Sequence, residues 1–543
     1  MYEPGGAASH SDAPSVECWW QPKDAKIHCP SNLHTPMSIE ACLRPSRRPL
    51  RAGIRLGITV AWFSASLCGA GVACAAGANA SLDISGVWRA TQSLPEIKTT
   101  SGEQPPLLPQ VSAAYARHRA LFRRQDLSFD PSSHCRSPGM PRLALMPYAF
   151  QIVQRPTVVA FLYSWQRAYR RVDLSGAEPV VDYPQVRGVS VGRVAGTTLV
   201  IETSGLADDT YLDAAGMPHS AALRLTEHFQ LSPDKNVLTD TMRIDDPKTF
   251  AKPWETVIKY RREPAGTELK EDVCIDRLEA GKPAVETKPI DVANYLGASD
   301  AGQESAGTTA ESFEGTWQSV FVPSPVKVAL GSGVLRTVEG PLPPYKPEAE
   351  QVFRRRIELE QKGTPLANVD NTCRPHHLLI DLVLTLGPFE IVQTQHQLTF
   401  LFEASNSHLT VHLGRRHPAD LAPSYRGDAI GRWDGATLIV DTVGFNGKAW
   451  LDPSGSPASA AMHWSTRISK VGKTLKFLTT IDDSDYLRPW MVLQTAEPRP
   501  EMRLLETDCF DNLRPEDNYR IIYEDFKPPF WDARSKADSV GPR

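Results

Sequence analysis

Across most of the chain apolar and polar residues alternate over short runs, the period of strands that bury one face and wet the other. In the C-terminal half this predicts strands at Glu390–Thr394, Leu398–Glu403, Leu409–Leu413, Ala429–Trp433, Thr437–Val443, Met462–Lys470, Thr474–Asp482, Trp490–Thr495 and Arg503–Cys509. Turn signals such as Asp434-Gly435 and Val471-Gly472 lie in hairpin-sized gaps between them. Helical periodicity is confined chiefly to Lys346–Lys362, after Pro343-Pro344, and more weakly to Ser112–Arg124. Eight or nine successive short strands predict a mainly β fold, an antiparallel barrel or alternatively a β-sandwich, and not a βαβ arrangement.

The pattern occurs twice. Gly86-Val87-Trp88 answers to Gly315-Thr316-Trp317, Phe150–Gln154 to Phe389–Gln393, and the block from Gly188 to that from Gly427. Further along, Ile244-Asp245-Asp246 answers to Ile481-Asp482-Asp483 and Pro253-Trp254 to Pro489-Trp490. The offset drifts slowly, from 229 at the first tryptophan to 239 at Arg193/Arg432 and 235 at the last cysteine, which is the mark of one unit duplicated and then altered by small loop insertions. A chain of 543 residues exceeds one ordinary core and suits two such units. The expected organisation is an extension and signal peptide over 1–80, barrels over 81–280 and 312–530, a linker rich in Ala, Gly, Ser and acidic residues over 281–311, and a tail over 531–543.

Arg44, Arg47, Arg48, Arg51 and Arg55 precede the apolar run Leu56–Cys68, and Ala78-Asn79-Ala80 offers a small-residue cleavage site; together they read as a secretory signal, with an uncleaved anchor helix as the alternative. A periplasmic or secreted protein with no stable membrane span after cleavage is expected. Five of nine cysteines, Cys18, Cys29, Cys42, Cys68 and Cys74, fall in this segment. The other four stand one early and one late in each copy, so Cys135 with Cys274 and Cys373 with Cys509 is the pairing each unit could close alone, stabilising it by roughly 2 to 5 kcal/mol. Met1–Ala80 holds 7 of the 59 basic and 5 of the 63 acidic residues, leaving 52 against 58. That surplus of negative charge argues against nucleic acid as a partner.

A Gly-x-Trp opening the first strand and a late cysteine suggest a lipocalin-like barrel. The block GRWDGATLIVDTVGFNGKAWLD, followed by an Ile-Asp-Asp, a Pro-Trp and a terminal cysteine, resembles a large family of secreted bacterial β-rich proteins of unassigned function. The resemblance covers essentially all of the second copy and, more loosely, the first, and it implies no particular reaction. The second copy keeps Arg415-Arg416-His417-Pro418, Trp433, Asn446, Trp450, Asp452 and His463, but has Ala458 where the family has histidine. The first keeps that histidine as His219 and a glutamate as Glu227, but has Val194 and Arg224 in place of the tryptophan and the second histidine.

Histidine beside carboxylate is the commonest acid/base pairing. In the second copy His463, Asp452 and Arg432 are the candidate catalytic set, with His417 and Asp441 expected to join them at a barrel mouth. Trp433, Trp450, His417, Asn446, His219 and Glu227 are candidate ligand contacts, the tryptophans lining an apolar pocket or packing the core. Asp452-x-x-Gly455 and the Asp-Asp pairs at 245/246 and 482/483 also read as turns. No cofactor is expected, because no Walker loop, dinucleotide fingerprint or serine elbow stands in a supporting context. No metal is expected either, since His376-His377 lacks a third ligand at fixed spacing. The expected partner is a small apolar or aromatic molecule, bound or, alternatively, turned over without a cofactor by a lyase, isomerase or hydrolase. An envelope scaffold is the third alternative.

Overall fold

The computed structural model describes residues 19–21, 26–28, 82–92, 94–285, 296–298, 311–321, 335, 337–362, 372–384, 387–507 and 509. The expected signal peptide and its cleavage site, most of the expected linker and the expected tail lie outside them. The chain divides into Met1–Gly77 and Ala78–Arg543. In the first unit Trp19–Gln21 pairs antiparallel with Lys26–His28. The second holds two closed barrels of nine strands each.

In the first barrel the strands are β1 Gly86–Ala90, β2 Phe150–Gln154, β3 Val158–Tyr163, β4 Tyr169–Asp173, β5 Val189–Ala195, β6 Thr198–Ser204, β7 Arg224–Leu231, β8 Val237–Asp245 and β9 Trp254–Arg262. In the second they are β10 Gly315–Ser319, β11 Phe389–Gln393, β12 Gln397–Phe402, β13 Ser407–Leu413, β14 Asp428–Asp434, β15 Thr437–Val443, β16 His463–Val471, β17 Thr474–Asp482 and β18 Trp490–Pro498. Each strand pairs with its sequence neighbour, and the last pairs with the first. Nine is odd, so a ring of strands that alternate in direction must contain one parallel pair. That pair is β4–β5 in the first barrel and β13–β14 in the second. A parallel pair cannot be joined by a hairpin, and the chain therefore crosses over the outside of each barrel, through residues 174–188 and 414–427. The second crossover carries Arg415-Arg416-His417-Pro418.

The alternation of the sequence is the alternation of the barrel wall. β17 reads outward and inward by turns, with Leu475, Phe477, Thr479 and Ile481 inside. Tight hairpins follow where Gly435 and Gly472 take positive φ, a conformation that costs a residue with Cβ. The Gly-x-Trp motif has one role in both copies: the indole N–H of Trp88 donates to the Ile84 carbonyl and that of Trp317 to the Phe313 carbonyl, each at 2.9 Å. The expected helices run over α1 Pro109–Arg123 and α2 Pro347–Gln361. Cys135 is bonded to Cys274 and Cys373 to Cys509. Closure of both sheets excludes the sandwich.

One expected strand is absent. Arg503–Thr507 forms no ladder but is held by side chains: the Leu505 amide donates to Glu403 and the Glu506 amide to Gln185, on opposite barrels. The strand that completes the ring is Gly315–Ser319. In β3 every residue is buried, because the inward side meets the barrel core while Val158, Ala160 and Leu162 pack outward against Val392 and Leu401 of the second barrel.

Candidate functional site

The outward positions of β14, β15 and β16 build a site on the wall of the second barrel. Trp464 faces inward and is buried, so His463 one residue earlier faces out. Asp441 and Asp428 occupy outward positions on the two preceding strands. The crossover lays His417 between them, hydrogen-bonded through Nδ1 to Asp428 Oδ2 at 2.6 Å and through Nε2 to Asp441 Oδ2 at 3.0 Å. The other Asp441 oxygen meets His463 Nε2 at 2.6 Å. Beyond Asp428, Arg415 bridges that carboxylate to Glu268, which belongs to the segment trailing the first barrel. The chain of contacts runs from solvent into protein: the side chains of His463 and Asp441 are 45% and 40% exposed, those of Asp428 and Arg415 10% and 9%.

Electrostatics fix the roles. Burial opposes a charge on His417, but the hydrogen bonds to Asp428 and Asp441 outweigh it and push the imidazole up to about 9. At neutral pH His417 is therefore an imidazolium donating from both nitrogens. Asp441 is held below the usual carboxylate range, first by the His417 hydrogen bond and then, against partial burial, by His463. The Asp441 carboxylate at Nε2 orients the His463 ring and turns Nδ1 away from it, toward solvent or substrate. At the other end the cluster opens on a cleft of about 560 Å³, lined by Glu268, His412, Pro418, Tyr425, Asp428 and Asn446. Burial and the Arg415 charge push His412 down to about 3, so it faces the cleft as a neutral ring.

The expected site residues divide accordingly. His463, His417 and Asp441 do meet, but on the outer wall and not at a barrel mouth, because all the positions involved point outward. Asp452 is not among them. It is wholly buried and takes hydrogen bonds from the amides of Leu335, Ser454 and Ser456, as a turn carboxylate does. Arg432 lies two outward positions beyond Asp428 on β14, opposite Ile439, and is exposed. Trp433 points inward and packs on Phe313 at 5.3 Å. Trp450 lies beneath the Arg356 guanidinium at 4.7 Å, and its carbonyl meets His377 Nε2. Asn446 stands at the cleft, its side-chain oxygen taking the Lys448 amide.

In the first copy His219 is buried in a loop against Thr210 and Ser220, while Glu227 points into the barrel and pairs with Arg170; the two do not form one site. The second aspartate of each pair is again a turn residue, Asp246 accepting from Ser220 and Asp483 from Ser459 and Asp485. His376 meets Asp381 at 3.1 Å. Asp428 was missed, because the expected strand began at Ala429 and the structure starts it one residue earlier. Glu268 was not, because nothing in the sequence relates the tail of one copy to the crossover of the other.

The chain is thus a mainly β protein of two tandem closed nine-stranded barrels, each with its own disulfide, and the disulfides fit an extracytoplasmic location. No helix among the described residues is long and apolar enough to cross a membrane. No family model and no curated protein matches the chain. One similar solved structure is a "putative outer membrane protein" from Bacteroides fragilis, at 9% identity over 65% of this chain and 88% of that one; its TM-score of 0.15 is too low to carry an argument.

Proposed function

We propose that the outer wall of the second barrel is an acid/base site acting on a small polar molecule without a cofactor, with His463 as the proton carrier. The observation that supports this is Asp441 held between two imidazoles. His417, kept charged, neutralises and fixes the carboxylate, and the carboxylate orients His463 with its free nitrogen outward. Asp441 and His417 take the supporting places expected of Asp452 and Arg432. Isomerisation, elimination and hydrolysis can each be started by such a proton transfer.

Binding without turnover is the second reading, and the cleft beside Asp428 favours it. Its polar lining suits a hydrogen-bonding ligand better than the apolar or aromatic one the tryptophans suggested, since Trp433 is engaged with Phe313 in the core. The test is a melting-shift screen of polar and apolar small molecules on the mature protein, followed by turnover of any hit. His463→Ala should lower turnover by about 100-fold or more while the ligand-induced shift persists. Equal turnover by the variant sinks the acid/base reading.

A further inference from the structure

The geometry points to Glu268, supplied by the segment that trails the first barrel, as a positioning residue for the second barrel's site, so that the two copies share one functional centre. This rests on the acid/base reading above but concerns how that site is held. Glu268 is the last carboxylate of the run His463, Asp441, His417, Asp428, Arg415, and it reaches Arg415 while its other oxygen lies 4.0 Å from His412 Nε2. Arg415 is nine-tenths buried and serves two carboxylates at once, Glu268 and Asp428. Remove Glu268 and the whole guanidinium charge falls on Asp428, drawing that carboxylate away from His417. Glu268 is itself pushed up by burial, an effect that Arg415 opposes.

The charged groups on His417 are Asp428 on β14 and Asp441 on β15; His463 on β16 reaches it through Asp441, Arg415 of its own loop through Asp428, and Glu268 through Arg415. Among these Glu268 alone comes from the other copy. The trailing segment also carries Glu279, which binds Arg374 of the second copy, and neither of these two is among the residues that line the cleft of Glu268 and Asp428. A general loosening of the inter-barrel contact and a specific effect on the site can therefore be told apart.

The test is histidine NMR titration of the full mature chain, with the His417 resonance assigned by its loss in His417→Asn. Glu268→Gln should lower the His417 midpoint by at least about half a pH unit, Glu268→Asp should restore most of it, and Glu279→Gln should leave it in place. A folded Glu268→Gln protein with an unmoved His417 midpoint overturns the inference, and so does an equal shift in Glu279→Gln. Because the readout needs no turnover, it stands or falls apart from the activity of His463→Ala.

Discussion

The two barrels are built on the same nine-stranded frame and differ in what their interiors hold. At equivalent registers the first has Arg170, Glu227, Asp240, Tyr163 and Tyr260 inside, and the second has Leu409, Thr466, Phe477, Phe402 and Ala496. In the first, Arg170 donates to Glu227 at 3.0 Å, to Thr203 at 2.7 Å and to Ser190 at 3.0 Å. In the second, the rings of Phe389, Phe400, Phe402 and Phe477 pack on one another. Outside, both walls carry charge: Asp428, Asp441 and His463 stand where the first barrel has Val189, Glu202 and Arg224, and it is the second wall that gathers two carboxylates and a histidine around His417. The same β framework tolerates either solution because a buried charge is acceptable once paired and hydrogen-bonded, and an outward charge needs only water. Chemistry needs access, so only the outward arrangement is placed to act on a molecule from solution.

The comparison can be broken first at the buried pair. Arg170→Leu leaves Glu227 uncompensated and should cost about 3–5 kcal/mol, read as faster native-state hydrogen exchange in the first barrel alone. Adding Glu227→Thr and Asp240→Phe, which copies the second barrel, should return much of it. If Arg170→Leu costs nothing, the pair is not what holds that interior.

On the outer wall, His417 is raised in the folded protein, so its stabilisation is complete below about 6.5, its unfolded value, and is lost as pH rises through about 9. His417→Asn should remove on the order of 1–3 kcal/mol at pH 6 and little at pH 10, by urea unfolding at both. A constant difference across that range would deny the imidazolium.

Asp240 shares the direction of that pH dependence for the opposite reason, because the fold disfavours its charge where it favours that of His417. Burial, and then the Glu227 carboxylate, raise it well above the usual carboxylate range, so the stability of its neutral form is lost as pH rises above about 4. Asp240→Asn should thus stabilise the first barrel by about 1–2 kcal/mol at pH 8 and scarcely at pH 4, measured by the same exchange experiment. The smallest effect is expected from Arg432→Ala, exposed and outside the relay: within about 0.5 kcal/mol in stability, with an unchanged His417 titration.

Position by position, divergence between the copies did not by itself mark function. His463 and His417 differ from the first copy and belong to the outer site, but Glu227 and Trp433 also differ and are interior. Period-two alternation decides between these cases once the face is known, since Asp441 and Val440 are adjacent and opposite. Asp452 shows the complementary limit, a family-like residue whose spacing to Gly455 already spelled a turn.

The sequence by itself determined the duplication, the alternating strands, the two long helices and the pairing of each copy's cysteines, because these follow from local periodicity and from the repeat. Tertiary structure alone decided that nine strands close each ring, that the parallel pair sends the His417 loop over the outer wall, and that Glu268 of one copy meets Arg415 of the other. Ring closure and contact between copies join residues far apart in the chain, and no local period records which outward side chains they bring together.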